Sequence, residues 1–429
     1  MERVIISKLN KCIGKEVKIM GWVYRIRKLK AITFIIIRDR SGLVQCIAMN
    51  NVIDLTDINV ESVVSIIGDV KESNNNLNTF EVSIKSFELI NTAEDNLEIQ
   101  INNKDLEVNL DTMLNNRVLS LRHEKNNAIF KIQNLIVQGF RNFLIGEEYT
   151  EIFTPKIIAE GVEGGTEVFE VKYFDNKAYL AQSPQFHKQM MVGAGFERVF
   201  EVAHVYRAEM HNTNRHLNEY VSMDLEIAFI KDEEDIMDIE EKLLKYILSK
   251  VEKEGNKYLE ILNADILKIH NKIPRMKFKE ALYILKEEFN KTDLEGDLDP
   301  EAEKLICKYA KEKLGSDFIF LTHYPRKKRP MYTMPLGEEE THSFDLLFRG
   351  VEITTGGQRI HEYNQLIENI KYKGLNPEKF KSYTSAFKLG MPPHGGLAIG
   401  LERITMQLLR LENIREASLF PRDRTRLVP

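Results

Sequence analysis

Between residues 198 and 229 the chain reads RVFEVAHVYRAEMHNTNRHLNEYVSMDLEIAF. The flanks VFEVAHVYR and YVSMDLEIAF both alternate apolar and polar residues, a period that predicts two antiparallel strands joined by a long polar loop. Arg207, Glu209, Arg215, His216 and Glu219 then converge on one face. Burying unpaired charge is costly, so this many ionisable groups on a hairpin require a ligand or partner charges. Two readings fit these residues taken alone, a salt-bridged hairpin and a site for a polyanion.

A chain of 429 residues holds two or three domains, and 43% apolar with 29% charged residues is the balance of a soluble globular protein. Cys12, Cys46 and Cys307 form no CxxC pair, which argues against a disulfide framework or a cysteine metal site and for a reducing compartment. The start MERVIISKLNKCIGKEV has no apolar run long enough for a signal peptide or a membrane helix. A cytoplasmic protein with no membrane partner is expected. Net charge −5 and a pI near 6.1 give no global attraction for nucleic acid, so such a partner must be met by a local basic surface.

Residues 15 to 92 are strand-like, with EVKIMGWVYRIRKL, ITFIIIRDRSGLVQCIAM, VESVVSIIGDVKE and TFEVSIKSFELI separated by turn signals. Five short strands in that length suit a small OB-type barrel. The expected division is a barrel domain at 1–95, a charged, Asn-rich linker at 96–125, and a second domain at 126–429. Ile129, Ile132, Leu135, Ile136, Phe140, Phe143 and Leu144 have helical spacing at the start of that domain. Residues 231–315 read as a helical, charged region. No internal repeat and no GxxxxGK[ST] motif is present, so ATP would not bind in a P-loop.

The loop YRAEMHNTNRHLNEY resembles motif 2 of the class II aminoacyl-tRNA synthetases. Upstream, GEEYTEIFTPKI with Pro155 resembles motif 1, which builds the dimer interface in that family; downstream, GLAIGLERITM with Arg403 resembles motif 3. LAQSPQFHKQMM and FRGVEITTGGQRIHEY resemble the aspartyl-tRNA synthetases, particularly their archaeal-type branch, which includes non-discriminating enzymes. A lone RxE pair would carry little, whereas here five motifs stand in order. The resemblance implies an α+β fold: an N-terminal OB-fold β-barrel that binds the anticodon, then a class II catalytic domain, an antiparallel β-sheet flanked by helices, working as a homodimer. The implied reaction is ATP-dependent activation of L-aspartate and transfer to tRNA(Asp), with tRNA(Asn) left open as a second acceptor.

Activation needs charge neutralisation and alignment and no protein nucleophile, tasks that suit arginine. By similarity Arg207 would hold the α-phosphate and meet the substrate carboxylate, with Arg207 and Arg403 carrying catalysis. Glu209 would accept from the adenine amino group, and Tyr220 would stack under the ring while Arg403 covers its other face and reaches the γ-phosphate. Arg215 and His216 would sit near the β- and γ-phosphates. The family holds Mg2+ with Glu352, Asp345 and the hydroxyl at Thr355, where many aspartyl enzymes have serine. For aspartate, Lys188 and Arg359 match the cations that meet the side-chain carboxylate, while Gln185, Asp224 and Glu163 match groups around the α-amino end. Thr355 borders the same site.

In the first domain, cations and aromatics interleave in GWVYRIRKLKAITFIIIRDRSGLVQ, which suits single-stranded RNA, though a solvated barrel face fits as well. With the resemblance, Phe34 would stack on the central anticodon base, Gln45 would hydrogen-bond to it and Arg27 would lie nearby. Trp22 is expected in the core. His187, His204, His361 and His394 are read as structural or surface residues, and the cysteines as small buried apolar groups. The run YPRKKRPMY reads equally as a solvated loop or as a contact for an RNA acceptor stem. The rival functions are an asparagine–tRNA ligase of the same fold, a non-catalytic RNA-binding paralogue, and an asparagine synthetase without an anticodon domain.

Overall fold

Among the described residues, alternation in the first ninety produces five strands: β1 (Glu16–Lys28), β2 (Ile32–Asp39), β3 (Gly42–Met49), β4 (Val63–Glu72) and β5 (Phe80–Asn91). They close into a barrel in the order β1-β2-β3-β5-β4. Ile19, Val23, Ile35, Ile37, Val44 and Ile66 point inward and are buried, the usual drive for closing such a sheet. The computed structural model describes residues 1–50, 58–161, 167–265, 267–294 and 296–429. The chain divides into two units, 1–123 and 124–429.

A register shift between Val23 and Arg25 changes which face of β1 looks outward. Beyond it Ile26 packs on the barrel core, and Arg25 and Arg27 are exposed. Trp22 departs from expectation. It alternates with the buried Gly21 and Val23, so it faces out, half-buried, with the Arg122 guanidinium 5.2 Å from its ring centre. Residues 96–123 belong to the first unit, with Ile99, Ile101 and Leu114 buried.

The second unit opens with α1 (Glu124–Gly146), whose buried face carries Ile129, Ile132, Leu135, Ile136, Phe140 and Leu144. It packs directly on the long α3 (Glu233–Leu262), and a short α2 (Gln185–Met191) falls between the two in chain order. A Cβ on Gly139 of α1 would sit 3.2 Å from the Ile247 backbone of α3, so glycine lets the two axes approach closely. The remaining helices used below are α4 (Phe278–Phe289), α5 (Pro300–Leu314) and α6 (Leu401–Leu409). The start of α5 follows from local chemistry: Asp299 accepts from the Ala302 N–H, Pro300 fills the first turn, and Gly315 ends the helix at φ 67°.

Among the described residues eight strands form the central sheet: β6 (Thr150–Glu151), β7 (Arg198–Tyr206), β8 (Glu219–Ala228), β9 (Arg275–Lys277), β10 (Phe318–Thr322), β11 (Ser343–Phe348), β12 (Val351–Arg359) and β13 (His394–Gly400). Their order is β9-β10-β11-β12-β13-β8-β7-β6. The middle is antiparallel, as expected, while the edge pairs β9/β10 and β6/β7 are parallel. Each parallel pair is joined by a crossover that contains helices, which is the geometry parallel pairing requires.

Candidate active site

The hairpin foreseen in the sequence is β7 paired with β8, with Val205 opposite Tyr220 and a loop at residues 207–218. Beside it a cleft brings together Arg207, Glu209, Arg215, His216, Tyr220, Glu352, Thr355 and Arg403. The Arg207 guanidinium lies 5.8 Å from the Tyr220 ring centre and 3.6 Å from Glu209. Arg403 donates from Nη1 to the Glu352 carbonyl at 2.9 Å and reaches its carboxylate at 3.4 Å. Burial, then the Arg403 cation, pushes His216 below its ordinary pKa, so its ring is neutral at neutral pH. Three arginines, Arg207, Arg215 and Arg403, and the Tyr220 ring thus line one cleft, side chains that suit an anion carrying a planar, stackable group.

Further along the same strands lies a buried charge cluster. Lys188, 1% exposed, projects from α2 and donates to Asp224 Oδ1 at 2.9 Å and to the carbonyls of Leu397 and Leu225 at 3.1 and 3.3 Å. Arg359 donates to Glu226 Oε1 at 3.0 Å, to the Gly396 carbonyl at 3.0 Å, and to Gln185 Oε1 at 3.4 Å. Glu226 also lies 3.3 Å from Lys188. Burial raises the pKa of Glu226, but the Arg359 and Lys188 cations outweigh it and hold the carboxyl below the ordinary range.

Glu226 is the residue the sequence reading missed. It stands two residues beyond Asp224 and four beyond Ser222, the spacing of one strand face, and that was the available signal. With it, Lys188 and Arg359 face two carboxylates and are charge-balanced before any ligand arrives. Gly396 leaves room for this arrangement, since a Cβ there would come within 2.2 Å of Glu226 Oε2. Behind the cluster, burial pushes His394 down to about 4. The neutral ring is assigned as donating from Nδ1 to the Pro392 carbonyl at 2.8 Å and accepting at Nε2 from Gln189 at 2.8 Å. His394 is thus structural, as read.

Asp345 and Thr355 are paired across β11 and β12, and Thr355 donates to Glu352 at 3.0 Å. Burial and the nearby Glu352 raise Asp345, against the pull of Arg329, which donates to it at 2.7 Å. Asp345, Glu352 and Thr355 carry the hard oxygens that Mg2+ prefers, with the rest of its shell left to ligand oxygens. Among the described residues no cluster of three His, Cys, Asp or Glu is placed to hold a metal by itself. Glu163 lies outside the described residues.

On the barrel, Arg27 stands opposite Phe34 and Ile36 opposite Gln45, so all three foreseen side chains share the outward face. Gln45 donates to Glu81 at 3.0 Å. The run YPRKKRPMY divides: Arg326 is held by Asn369 and Arg329 by Asp345, leaving Lys327 and Lys328 exposed. Cys46 and Cys307 are buried and Cys12 half-buried, all unpaired.

Residues 109–424 match the family described as tRNA synthetases class II (D, K and N), and residues 17–90 match the OB-fold nucleic acid binding domain. The chain is 47% identical over 427 residues to the aspartate–tRNA(Asp/Asn) ligase of Thermus thermophilus, covering 100% of both. It is 44% identical to the aspartate–tRNA(Asp) ligase of Pyrococcus furiosus, covering 99% of this chain and 98% of that one. Among solved structures it resembles the asparaginyl-tRNA synthetase of Pyrococcus horikoshii complexed with asparaginyl-adenylate, with a TM-score of 0.92 at 30% identity over 100% of both chains.

Proposed function

The chain belongs to the class II tRNA synthetases (D, K and N), and on that premise we propose that it is an aspartate–tRNA ligase. An aspartate carboxylate oxygen attacks the α-phosphorus of ATP, the bond to the bridging oxygen breaks, and pyrophosphate leaves. The 3′ end of tRNA(Asp) then takes the aspartyl group from the adenylate and releases AMP.

In this reading Arg207 holds the α-phosphate and the reacting carboxylate, where charge develops in the transition state. Tyr220 and Arg403 sandwich the adenine, and Glu209 accepts from its amino group. Arg215 and His216 meet the β- and γ-phosphates. Mg2+ would be held by Asp345, Glu352 and Thr355, and when bound it neutralises phosphate charge. Lys188 and Arg359 receive the aspartate side chain, with Gln185, Asp224 and Glu163 toward its amino end.

The observation that carries the reading is the buried Lys188–Glu226–Arg359 cluster next to the cleft. Lys188 and Arg359 are fixed donors that offer no acceptor, so a side chain that only accepts, a carboxylate, matches them better than an amide with its two N–H groups, which favours aspartate over asparagine despite the likeness to an asparaginyl enzyme. A cytoplasmic homodimer is supported by unpaired buried cysteines and by Phe153, 82% exposed beside Pro155 in the motif 1 segment.

The test is charging of radiolabelled aspartate onto tRNA(Asp) and tRNA(Asn) transcripts, with asparagine as competitor. Both acceptors are included because relatives named for each range match this chain at similar identity. We expect aspartate on tRNA(Asp) with no competition from asparagine. Charge on tRNA(Asn) as well would mark a non-discriminating enzyme and imply an amidotransferase downstream. Charging of asparagine in place of aspartate would overturn the proposal.

A further inference from the structure

The charged helical region between β8 and β10 sends one carboxylate into the cleft's wall. Glu303, in the first turn of α5, is buried, and both its oxygens accept from Arg215 Nη2, at 2.7 and 2.8 Å. Its Oε2 also accepts the Glu352 N–H at 3.0 Å. One carboxylate therefore joins the hairpin loop, α5 and the start of β12. Arg215 lines the cleft, and its Nε and Nη1 are buried with no hydrogen-bond partner among the described residues. A guanidinium anchored through one nitrogen, whose other two nitrogens carry three N–H groups with no protein acceptor among those residues, is not fully spent on the fold.

We propose that Glu303 is a positioning residue for ATP: it fixes the Arg215 guanidinium within the cleft wall, so that its charge is held in place for the phosphates. The proposal rests on the reading of the cleft as an ATP site. A loop arginine without this anchor has many rotamers to lose when it engages a phosphate, and its placement relative to Glu352 is no longer set. The anchor removes that freedom before the nucleotide binds.

The test is a double-mutant cycle with Glu303→Gln and Arg215→Ala, read as KM for ATP, KM for aspartate and kcat in aspartate-dependent pyrophosphate exchange. The glutamine keeps an acceptor for the Glu352 N–H but loses the charge that holds the guanidinium. Glu303→Gln alone should raise the KM for ATP about tenfold or more, with the KM for aspartate unchanged. In the Arg215→Ala background the same change should add nothing, since there is no guanidinium left to place. An equal loss in both backgrounds, or no change in the first, overturns the proposal and leaves Glu303 a packing residue of the fold. If Arg215→Ala itself leaves the KM for ATP unchanged, the ATP reading of this loop falls, and this proposal with it.

Discussion

Lys188 shows how one residue joins stability to selectivity. Its ammonium is enclosed by Asp224, Glu226 and two backbone carbonyls, and no solvent replaces those contacts if it is removed. Lys188→Met would leave Asp224 without its cation and Glu226 with Arg359 alone. Removing one member of a buried pair costs about 3–5 kcal/mol. We expect aspartate-dependent pyrophosphate exchange to be abolished, ATP binding to persist, and the thermal midpoint to fall. Unchanged exchange would remove Lys188 from the aspartate site. Lys188 and Arg359 were legible through their motifs, whereas the charge balance around them was not, because Glu226 reads in sequence as one more polar position in an alternating strand. Glu303 was less legible still. Its partner lies 88 residues earlier, and only the packing of α5 against β12 brings them together.

At the scale of elements, the question is what holds strand β8 to helix α6, since the two carry Tyr220 and Arg403. Glu402 in the first turn of α6 accepts the Val221 N–H with both oxygens, at 3.2 and 3.1 Å. Burial, followed by the charge of Glu219, raises its pKa from the ordinary 4.5 to about 8. The folded chain keeps this proton between pH 4.5 and 8 while the unfolded chain loses it. Stability therefore falls with rising pH across that window, by at most about 1.4 kcal/mol per pH unit from this group. Glu402→Gln supplies a neutral side chain of the same shape and removes the slope. The thermal midpoint of the variant relative to the parent should climb between pH 5 and pH 8 and level off above it; a difference flat with pH would mean that Glu402 is charged when folded. The strands and helices themselves were readable from period, and the β7/β8 hairpin is where the alternation put it. Trp22, expected in the core, faces outward, and the alternation of Gly21 and Val23 around it already pointed that way. The parallel edge pairs depend on crossovers that no local pattern encodes.

At the scale of the whole molecule, the groups proposed for the chemistry and those proposed for the anticodon lie in different units. The second unit contains every group argued to form the adenylate, and the barrel unit presents Arg27, Phe34 and Gln45 on one outward face. If that face reads an anticodon, its contribution enters only when tRNA does. Phe34 is half-buried on this outer surface and is absent from the barrel's enclosed core, so truncating it need not disturb the strands. Stacking of a base on an aromatic ring contributes about 1–3 kcal/mol, which corresponds to roughly fivefold to 150-fold in affinity. Phe34→Ala should therefore lower kcat/KM for tRNA in aspartate charging by about that factor while leaving tRNA-independent pyrophosphate exchange unchanged. Equal losses in both assays would mean that the substitution acts through the fold, and would take the barrel face out of anticodon reading. Unchanged charging would leave the cations and Gln45 to bind RNA without a stacking platform.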